Sequence, residues 1–415
     1  MSTLYIKNIG MLQTPIGSHK HSGKEQGENL KLHGAAILIE DGIIREIFSG
    51  SQAQQIDLEL ELDPDTVIDA EGRLVTPGLI DGHTHLVFGG YRQHEIPLKL
   101  SGASYLEILQ AGGGILDTVR ETRKASHREL VEKSQLFLDE MLVMGVTTCE
   151  AKSGYGLNEP DEIKTLEVIK ELNDTHPMDL VATFMGAHAV PPELKGNSDG
   201  YMELLCKKLL PQVKEKNLAE YVDIFCEEGV FDVDQSRKYL GTAKKLGFGL
   251  KIHTDEIVEL GGSELAGEMQ VTSAEHLIAI GQTGMASLAE GGVIAMVLPG
   301  TSFYLDKNFA PVRKMIDLGI PVAMGTDFNP GSCPSLNLQL IMNLGYLKYK
   351  MTPEEILTAV TINAACAIGR EEQVGTLEPG KKADLVIWDA PDMEMLCYRF
   401  GSNLAIQTIK AGILI

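Results

Sequence analysis

The residues of this sequence that are best suited to chemistry stand where short apolar runs end. His83 and His85 follow one such run, and their imidazoles point the same way because residues two apart in an extended chain share a face. His253, His276 and Asp327 follow three later runs. Imidazole nitrogen and carboxylate oxygen are ligands that Zn²⁺ or iron accepts, with a position left for water. The pattern predicts a single metal centre.

Each of these residues also has an ordinary structural interpretation. A lone His-x-His pair is often only a buried polar pair, His276 could make a structural hydrogen bond, and Asp327 could cap the turn that follows it. Their combination at the ends of several runs favours metal ligation by His83, His85, His253 and Asp327. Structural zinc sites are usually closed and rich in cysteine, whereas this set contains no thiolate, so we interpret the centre as catalytic.

The remaining histidines and the cysteines show no comparable pattern. Five histidines lie in polar or helical surroundings and are interpreted as surface residues: His19, His21, His33, His127 and His176. Six scattered cysteines form no CxxC pair, which favours reduced thiols and a cytoplasmic location: Cys149, Cys206, Cys226, Cys333, Cys366 and Cys397.

The strands and helices that must position the candidate ligands alternate along the middle of the chain. Helical stretches separate eight strand-like apolar runs, which is typical of a parallel βα fold. Eight strand–helix units in about 300 residues predict a (β/α)₈ TIM barrel, whose active site lies at the carboxyl ends of the strands. The eight predicted strands are 75–81, 146–150, 180–185, 222–226, 249–252, 272–274, 292–297 and 321–324.

The helices between these strands are predicted at 160–173, 234–246 and 308–318. A long helix is predicted at 353–368, where Thr352 can cap the first turn and proline occupies the first helical position.

The two ends of the chain resemble each other and differ from the middle. Residues 35–40 and 43–49 flank the turn Asp41-Gly42, which predicts a β-hairpin, and residues 375–415 contain similar short strands. We therefore predict a small β-sandwich domain built from residues 1–75 together with 372–415, and a barrel domain from 76 to 371. Residues 17–27 are predicted to be a loose insertion.

Composition narrows the possible partners of this 415-residue chain. Its net charge of -22 repels phosphate backbones and anionic lipid, so neither nucleic acid nor a membrane surface is expected as a partner. No run of about 18 apolar residues and no signal-peptide pattern is present, so a soluble cytoplasmic protein is expected. An anionic small-molecule substrate would require basic residues inside the pocket.

Longer motifs resemble one group of enzymes along the whole chain. Residues 76–85 (TPGLIDGHTH) resemble the first-strand motif of the amidohydrolase superfamily, and residues 379–385 (PGKKADL) resemble its C-terminal signature. More specific loops resemble the imidazolonepropionase family. They are LVFGG at 86–90 with Arg92 and Glu95, GGGIL at 112–116, KSGYGL at 152–157, GAHAVPP at 186–192 and GTDFNPGS at 325–332.

The resemblance implies a specific activity and site. It implies hydrolysis of 4-imidazolone-5-propanoate to N-formimidoyl-L-glutamate, one Zn²⁺ or Fe³⁺/Fe²⁺ ion per subunit, and a homodimer. The family's metal ligands fall on His83, His85, His253 and Asp327. Its substrate contacts fall on Arg92, Tyr155, His188, Glu256, Asn329, Gly331 and Ser332. Some family members have glutamine in place of Glu256. No carboxylated lysine is expected, because the fourth strand ends without a lysine at residues 226–228.

Specific catalytic roles follow as hypotheses. Asp327 takes a proton from the attacking water and delivers it to the leaving ring nitrogen. His276 donates a hydrogen bond to the developing oxyanion, and Glu256 holds the ring nitrogens and relays a proton. Arg92 is the candidate clamp for the propanoate carboxylate, although a surface arginine would also fit its position. Tyr155 and His188 add hydrogen bonds to the carboxylate or the ring, and the sequence does not divide these tasks between them.

Three other functions are compatible with a barrel of this kind. A deaminase acting on an aminated purine or pyrimidine ring would share the ligands without needing Arg92. A non-enzymatic relative would typically have lost ligands that this chain keeps, and a sugar- or phosphate-processing barrel would need a more basic rim.

Overall fold

The computed structural model describes residues 3–59, 63, 66–102 and 113–415. The strands are β1 (Thr3–Thr14), β2 (Leu30–Glu40), β3 (Ile43–Ser49), β4 (Val67–Asp69), β5 (Leu74–Pro77), β6 (Leu79–Asp81), β7 (Val146–Lys152), β8 (Asp179–Ala187), β9 (Tyr221–Cys226), β10 (Gly249–Thr254), β11 (Ser273–His276), β12 (Ile294–Val297), β13 (Val322–Met324), β14 (Leu385–Trp388), β15 (Ala405–Lys410) and β16 (Ile413–Leu414).

The α-helices are α1 (Ser51–Glu59), α2 (Ile96–Leu100), α3 (Ile115–Lys124), α4 (His127–Val143), α5 (Glu159–Thr175), α6 (Ser198–Leu204), α7 (Leu210–Glu215), α8 (Val233–Lys245), α9 (Gly262–Met269), α10 (Gln282–Gly291), α11 (Pro299–Tyr304), α12 (Val312–Asp317), α13 (Leu338–Leu347), α14 (Pro353–Ala359), α15 (Ile362–Ala367) and α16 (Met393–Tyr398). A π-helical turn, Leu205–Leu209, joins α6 to α7. None of the helices in the described ranges has the length and apolar character needed to cross a membrane.

Strands β6 to β13 form a parallel sheet in sequence order, and each overlaps one of the eight predicted runs. The barrel is nearly closed. At one end of the seam the Ile80 amide donates to the Val360 carbonyl at 2.8 Å. At the other end a bridge pairs Thr84 with Phe328, just beyond the carboxyl ends of β6 and β13. The predicted TIM barrel is confirmed, and this seam brings the loops after its first and last strands into contact.

The prediction that both chain ends assemble into one β-rich unit is confirmed, because they form a second, separate sheet. Its order is β16-β15-β14-β5-β1-β2-β3, and β4 pairs with another part of β1. The predicted hairpin is present as the antiparallel pair of β2 and β3. Strand β5 pairs with β14, which joins the N-terminal half of the sheet to the C-terminal half. The chain passes from this sheet into the barrel at Gly78, and the division into 1–75 plus 372–415 and 76–371 stays our proposal.

The predicted long helix at 353–368 is wrong as a single element. It divides into α14 and α15, and Thr361 between them has φ -131° and ψ -98°, far from helical values. The break frees the Val360 carbonyl to accept the Ile80 amide, so closure of the barrel outweighs the local preference for helix. The predicted capping of α14 by Thr352 is confirmed by its side chain accepting from the Glu355 amide.

The helix predicted at 308–318 begins later than expected, since α12 starts at Val312 directly after Pro311. Proline disfavours helical geometry in the residue before it, which explains the late start.

Residues 17–27 are also more ordered than predicted. Gln26 is fully buried, and its side-chain amide exchanges two hydrogen bonds of 3.0 Å with the backbone of Val322.

The prediction that His21 and His176 lie at the surface is wrong. The His21 backbone pairs with the Asn363 side chain, and the His176 ring accepts the Met178 amide beyond the end of α5. Both histidines are buried: His21 is held by its pairing with Asn363, and Nε2 of His176 lies 3.2 Å from Asp139 on α4.

Candidate metal centre

The carboxyl ends of β6, β10 and β11 and the loop after β13 form one buried cluster. Oδ1 of Asp327 lies 3.5 Å from Nε2 of His83 and 3.6 Å from Nε2 of His85. The His253 ring centroid lies 4.7 Å from that of His83 and 5.2 Å from that of His276. The structure therefore brings together all four predicted ligands and the predicted neighbour His276.

The donor set fits a divalent metal ion. Potential ligand atoms of His83, His85 and Asp327 all lie within 4.8 Å of one another, and so do those of His83, His253 and His276. Nε2 of His83 and Nε2 of His253 are buried and have no hydrogen-bond partner among the described residues. An unpaired buried nitrogen is costly, and coordination to a cation would remove that cost. Burial keeps the pKa of His83 and of His85 well below the usual range, which favours the neutral form that binds metal.

Two buried carboxylates lie against the rings of the candidate ligands His83 and His253. Glu275 accepts a hydrogen bond from Nδ1 of His83, and Oδ1 of Asp223 lies 3.0 Å from Nδ1 of His253. A proton held on Nδ1 of His83 leaves its Nε2 free for the cluster, whereas the contact between His253 and Asp223 is close but is not a hydrogen bond among the described residues. Metal-binding histidines usually have such a partner, which fixes both the tautomer and the ring orientation.

Buried lysine and carboxylate side chains surround these two carboxylates inside the barrel. Nζ of Lys152 lies 2.7 Å from Glu150 and 2.9 Å from Asp223, and Nζ of Lys251 lies within 4 Å of both Glu150 and Glu275. All five side chains are fully buried. Burial lowers the pKa of Lys152, but the carboxylates outweigh it and raise that pKa above its usual value. Each buried charge therefore faces an opposite charge, which limits the cost of burial.

These supporting residues were not predicted from the sequence. A usable signal was present, because charged residues occur two positions apart in apolar strands, as in Glu150 and Lys152. Such spacing places both side chains on one face of a strand. The sequence does not say whether that face points into the barrel or toward the helices.

The backbone around Asp327 is held in an unusual conformation. Asp327 has φ of 55° and His276 has φ of 71°, values that are uncommon for residues other than glycine. The Asp327 amide donates to the His83 carbonyl at 3.0 Å, and the Thr301 hydroxyl donates to Oδ2 of Asp327. Oδ1 is thereby directed at the histidines, and burial raises the pKa of Asp327. Strained residues of this kind concentrate at functional sites.

A buried carboxylate organises the loop that carries Glu256. Oε2 of Glu256 lies 3.6 Å from Nε2 of His276, so the two predicted catalytic residues are neighbours. The amides of Glu256, Ile257 and Val258 all donate to the carboxylate of Glu227, at 2.9–3.2 Å. Glu227 is buried, and its contribution was not recognised from the sequence.

Aromatic rings line one side of the cluster. His188 stacks on His85 with ring centroids 4.8 Å apart, and its Nδ1 lies 3.2 Å from the Gly154 carbonyl, to which it can donate. The Tyr155 ring centroid lies 5.7 Å from that of His85 and 5.3 Å from that of His188. Tyr155 and His188, the predicted substrate residues in the loops after β7 and β8, therefore lie beside the candidate metal ligands.

Two of the three guanidinium nitrogens of Arg92 donate to a neighbouring carboxylate. Its Nε and Nη2 each donate to Glu95 at 3.0 Å, and Glu95 also accepts from the Gly114 amide at 2.7 Å. Nη1 faces Gly331, where an added Cβ would lie only 2.1 Å away. The edge formed by Nη1 and Nη2 remains suited to a second carboxylate. Of the predicted glycine triplet, Gly112 lies outside the described residues.

The remaining predicted contacts form a compact loop after Asp327. The Asn329 side chain accepts the amides of Gly331 and Ser332 at 2.8 Å and donates to the Asp327 carbonyl at 2.7 Å. It also donates to the Ser332 hydroxyl at 2.7 Å. In this structure Asn329 therefore shapes the loop beside Arg92.

Comparisons with known proteins agree with this architecture. A model described as "Amidohydrolase family" matches residues 232–413, and a second model with that description matches residues 66–111. The fold also resembles 5-methylcytosine deaminase from Klebsiella pneumoniae, with TM-score 0.76 and 18% identity over 99% of this chain and 98% of that chain. E. coli guanine deaminase gives TM-score 0.72 and 15% identity over 100% and 99% of the two chains. The barrel and its buried histidine–aspartate cluster define an enzyme of the amidohydrolase class.

Relatives with high sequence identity identify the family within this class. Imidazolonepropionase from Alkaliphilus oremlandii is 51% identical, covering 99% of this chain and 97% of the relative. Imidazolonepropionase from Fusobacterium nucleatum is also 51% identical, covering 99% and 98%. The chain belongs to the imidazolonepropionase family.

Proposed function

We propose that this protein hydrolyses 4-imidazolone-5-propanoate to N-formimidoyl-L-glutamate, a ring-opening step in histidine degradation. The observation that carries the proposal is the identity of about half of all residues with proteins named imidazolonepropionase, maintained over the full chain. The buried cluster at the barrel mouth supports it, because cleavage of a cyclic amide requires an activated water and a proton donor for the leaving nitrogen.

The proposed metal ligands are His83, His85, His253 and Asp327, with one Zn²⁺ or Fe³⁺/Fe²⁺ ion per subunit. Support comes from their mutual distances and from the unpaired Nε2 atoms. When bound, such an ion supplies Lewis-acid activation of water near neutral pH. Nitrogen ligands with one carboxylate suit both zinc and iron, and metal analysis of the purified protein distinguishes the two.

Asp327 is the proposed carrier of the proton. Its Oδ1 faces the histidines while Oδ2 is held by Thr301, so a single oxygen is presented to the reaction. Asp327 accepts the proton of the attacking water and then transfers it to the ring nitrogen that leaves. Its raised pKa, caused by burial, suits a group that must both accept and release a proton.

His276 and Glu256 are proposed to act on the ring itself. His276 donates a hydrogen bond to the carbonyl oxygen as negative charge develops there. Glu256, 3.6 Å from His276, accepts hydrogen bonds from the ring nitrogens. The Glu227 carboxylate fixes the backbone of this loop, so the two groups keep their relative position during turnover.

Arg92 is proposed to bind the propanoate carboxylate with its Nη1–Nη2 edge. Glu95 holds the opposite edge of the guanidinium and so orients the free one. The Tyr155 hydroxyl and the His188 ring are proposed to supply further hydrogen bonds. The loop of Asn329, Gly331 and Ser332 is proposed to complete the carboxylate site, and Gly331 supports this because it leaves room for Nη1.

We propose further that the protein is a cytoplasmic homodimer that needs neither nucleic acid nor a membrane. Helices α13 and α16 pack together and leave Tyr346, Leu347 and Tyr398 exposed, which supports self-association. All six cysteines are free, which supports a reducing compartment. The measured molar mass in dilute solution tests the dimer.

The reaction is tested with freshly generated substrate. The ultraviolet absorbance of 4-imidazolone-5-propanoate is followed with enzyme, with enzyme and chelator, and after zinc or iron is restored. Decay faster than the spontaneous rate, sensitive to chelator and yielding N-formimidoyl-L-glutamate, is the expected result. Absence of such decay, together with ammonia release from aminated purines or pyrimidines, would instead identify a deaminase.

A further inference from the structure

We propose that this protein has a second metal site, formed by His19, His21 and Glu25, at the end of the barrel opposite the catalytic centre. Potential ligand atoms of these three residues all lie within 4.8 Å of one another. The inference goes beyond the proposed function, and its ligand is a divalent transition-metal cation of the zinc type.

The key observation is a buried, unpaired nitrogen on His21. Its Nε2 lies 2.9 Å from the Ile16 carbonyl. A carbonyl only accepts hydrogen bonds, so Nε2 carries the proton and Nδ1 has the free lone pair. This Nδ1 is buried and has no hydrogen-bond partner in the described part of the chain, and the residue is 1% exposed. A bound cation would satisfy an acceptor that is otherwise left unpaired at a cost.

The other two candidate ligands lie beside this histidine and are more exposed to solvent. The ring centroids of His19 and His21 are 4.9 Å apart, and Nε2 of His19 lies 2.7 Å from Oε1 of Glu25. The side chains of His19 and Glu25 are 58% and 44% exposed, so an ion can reach the site from solvent. The ammonium of Lys20, between the histidines, donates to the Gly292 carbonyl.

The segment is held in place before any ion binds. Asn363 accepts the His21 amide at 2.7 Å and donates to the His21 carbonyl at 2.9 Å. The Gln26 side chain is hydrogen-bonded to both backbone groups of Val322, the first residue of β13. Asp327 follows the opposite, carboxyl end of that strand, which separates the two sites.

The ligand chemistry selects the ion. Two imidazole nitrogens and one carboxylate oxygen suit Zn²⁺, Co²⁺ or Ni²⁺, whereas Ca²⁺ and Mg²⁺ prefer oxygen ligands. With three protein ligands, water completes the coordination. Binding would cross-link residues 19–25 to the base of the barrel, so a structural contribution is inferred.

The test is the zinc content of the full-length protein, whose catalytic site is first loaded with zinc. After equilibrium dialysis against buffered micromolar free zinc, we expect two zinc ions per chain. His19→Ala should bind one, and Glu25→Gln should lose the second ion at lower chelator concentration than the unmodified protein. His127→Ala is the matched control, because His127 is also paired with a glutamate, Glu171, but has no third ligand nearby among the described groups. It should keep two ions.

Two results would overturn the site. One is a single zinc per chain in the unmodified protein under these conditions. The other is two zinc ions in His19→Ala. A second measurement follows the His21 ring by ¹⁵N nuclear magnetic resonance, where zinc should shift Nδ1 and leave Nε2 protonated. Neither measurement uses turnover, so failure of the second site is distinguishable from failure of the proposed reaction.

Discussion

Glu275 accepts a hydrogen bond from Nδ1 of His83, and both side chains are completely buried. The contact joins β11 to the end of β6 and leaves Nε2 of His83 as the free nitrogen. Glu275→Gln removes the negative charge that holds this tautomer. We expect metal affinity to fall about 10- to 100-fold, as is typical when such a partner is lost.

Competition with a chromogenic chelator measures this affinity. Glu290→Gln, an exposed position on α10, is the control and should match the unmodified protein. Equal affinities in all three proteins would show that Glu275 does not orient His83.

Asp327→Asn should abolish turnover. The amide has a similar shape but cannot take the proton from water, and Asp327 presents a single free oxygen to the cluster. Turnover is compared in proteins shown by metal analysis to contain one catalytic ion. Asp306→Asn, an exposed residue with a similar positive φ, should keep full activity. Full activity in metal-loaded Asp327→Asn would remove Asp327 from the proton-transfer role.

Arg92→Ala should weaken binding of the carboxylate-bearing substrate. The Arg92 side chain is 12% exposed, and loss of one partner of a buried charge pair costs roughly 2–5 kcal/mol. The measurement is KM, with kcat determined in the same series. Arg128→Ala is the control, because that arginine is 88% exposed and is paired with Glu132 on its own helix. An unchanged KM for Arg92→Ala would mean that another group recognises the carboxylate.

Glu227→Gln should loosen the loop of Glu256 without removing a metal ligand. The carboxylate accepts amides of three successive residues, and weakening such a buried acceptor costs about 1–3 kcal/mol. We expect a lower kcat/KM and faster proteolysis near residue 257, with metal content unchanged. Glu228→Gln, the exposed neighbour, should do neither. A variant with normal kinetics and normal proteolysis would assign no positioning role to Glu227.

Asp179 links the barrel to the terminal sheet and should contribute a pH-dependent stability. Its carboxylate lies 2.7 Å from Lys410 and 2.9 Å from Lys382. Burial raises the pKa of Asp179, but the two lysines outweigh it and lower that pKa below 3.8. The ion pairs therefore stabilise the fold above pH 3.8, and this contribution is lost as the pH falls through the lower, folded-state pKa.

Asp179→Asn should accordingly unfold at a lower denaturant concentration than the unmodified protein at neutral pH. The difference should shrink as the pH falls below about 4. Equal unfolding midpoints at neutral pH would contradict the prediction.

The sequence by itself determined the eight barrel strands and the candidate ligands, although not the course of every helix. Apolar runs ending in His83, His253 and Asp327 give both the strands and the chemistry, because parallel strands of a closed barrel place their carboxyl ends at one mouth. The Asp41-Gly42 hairpin was equally readable, since its turn is encoded in adjacent residues.

Only the tertiary structure decided which distant groups support the site. Glu275 reaches His83 across 192 positions of the chain, and local periodicity carries no information about such a partner. Burial of His21 likewise depends on Asn363, 342 positions away. The break between α14 and α15 also depends on a distant residue, because the Val360 carbonyl accepts a hydrogen bond from Ile80 of β6. Pairing between distant residues is set by how strands and helices pack, whereas a sequence pattern reports only neighbours within a few residues.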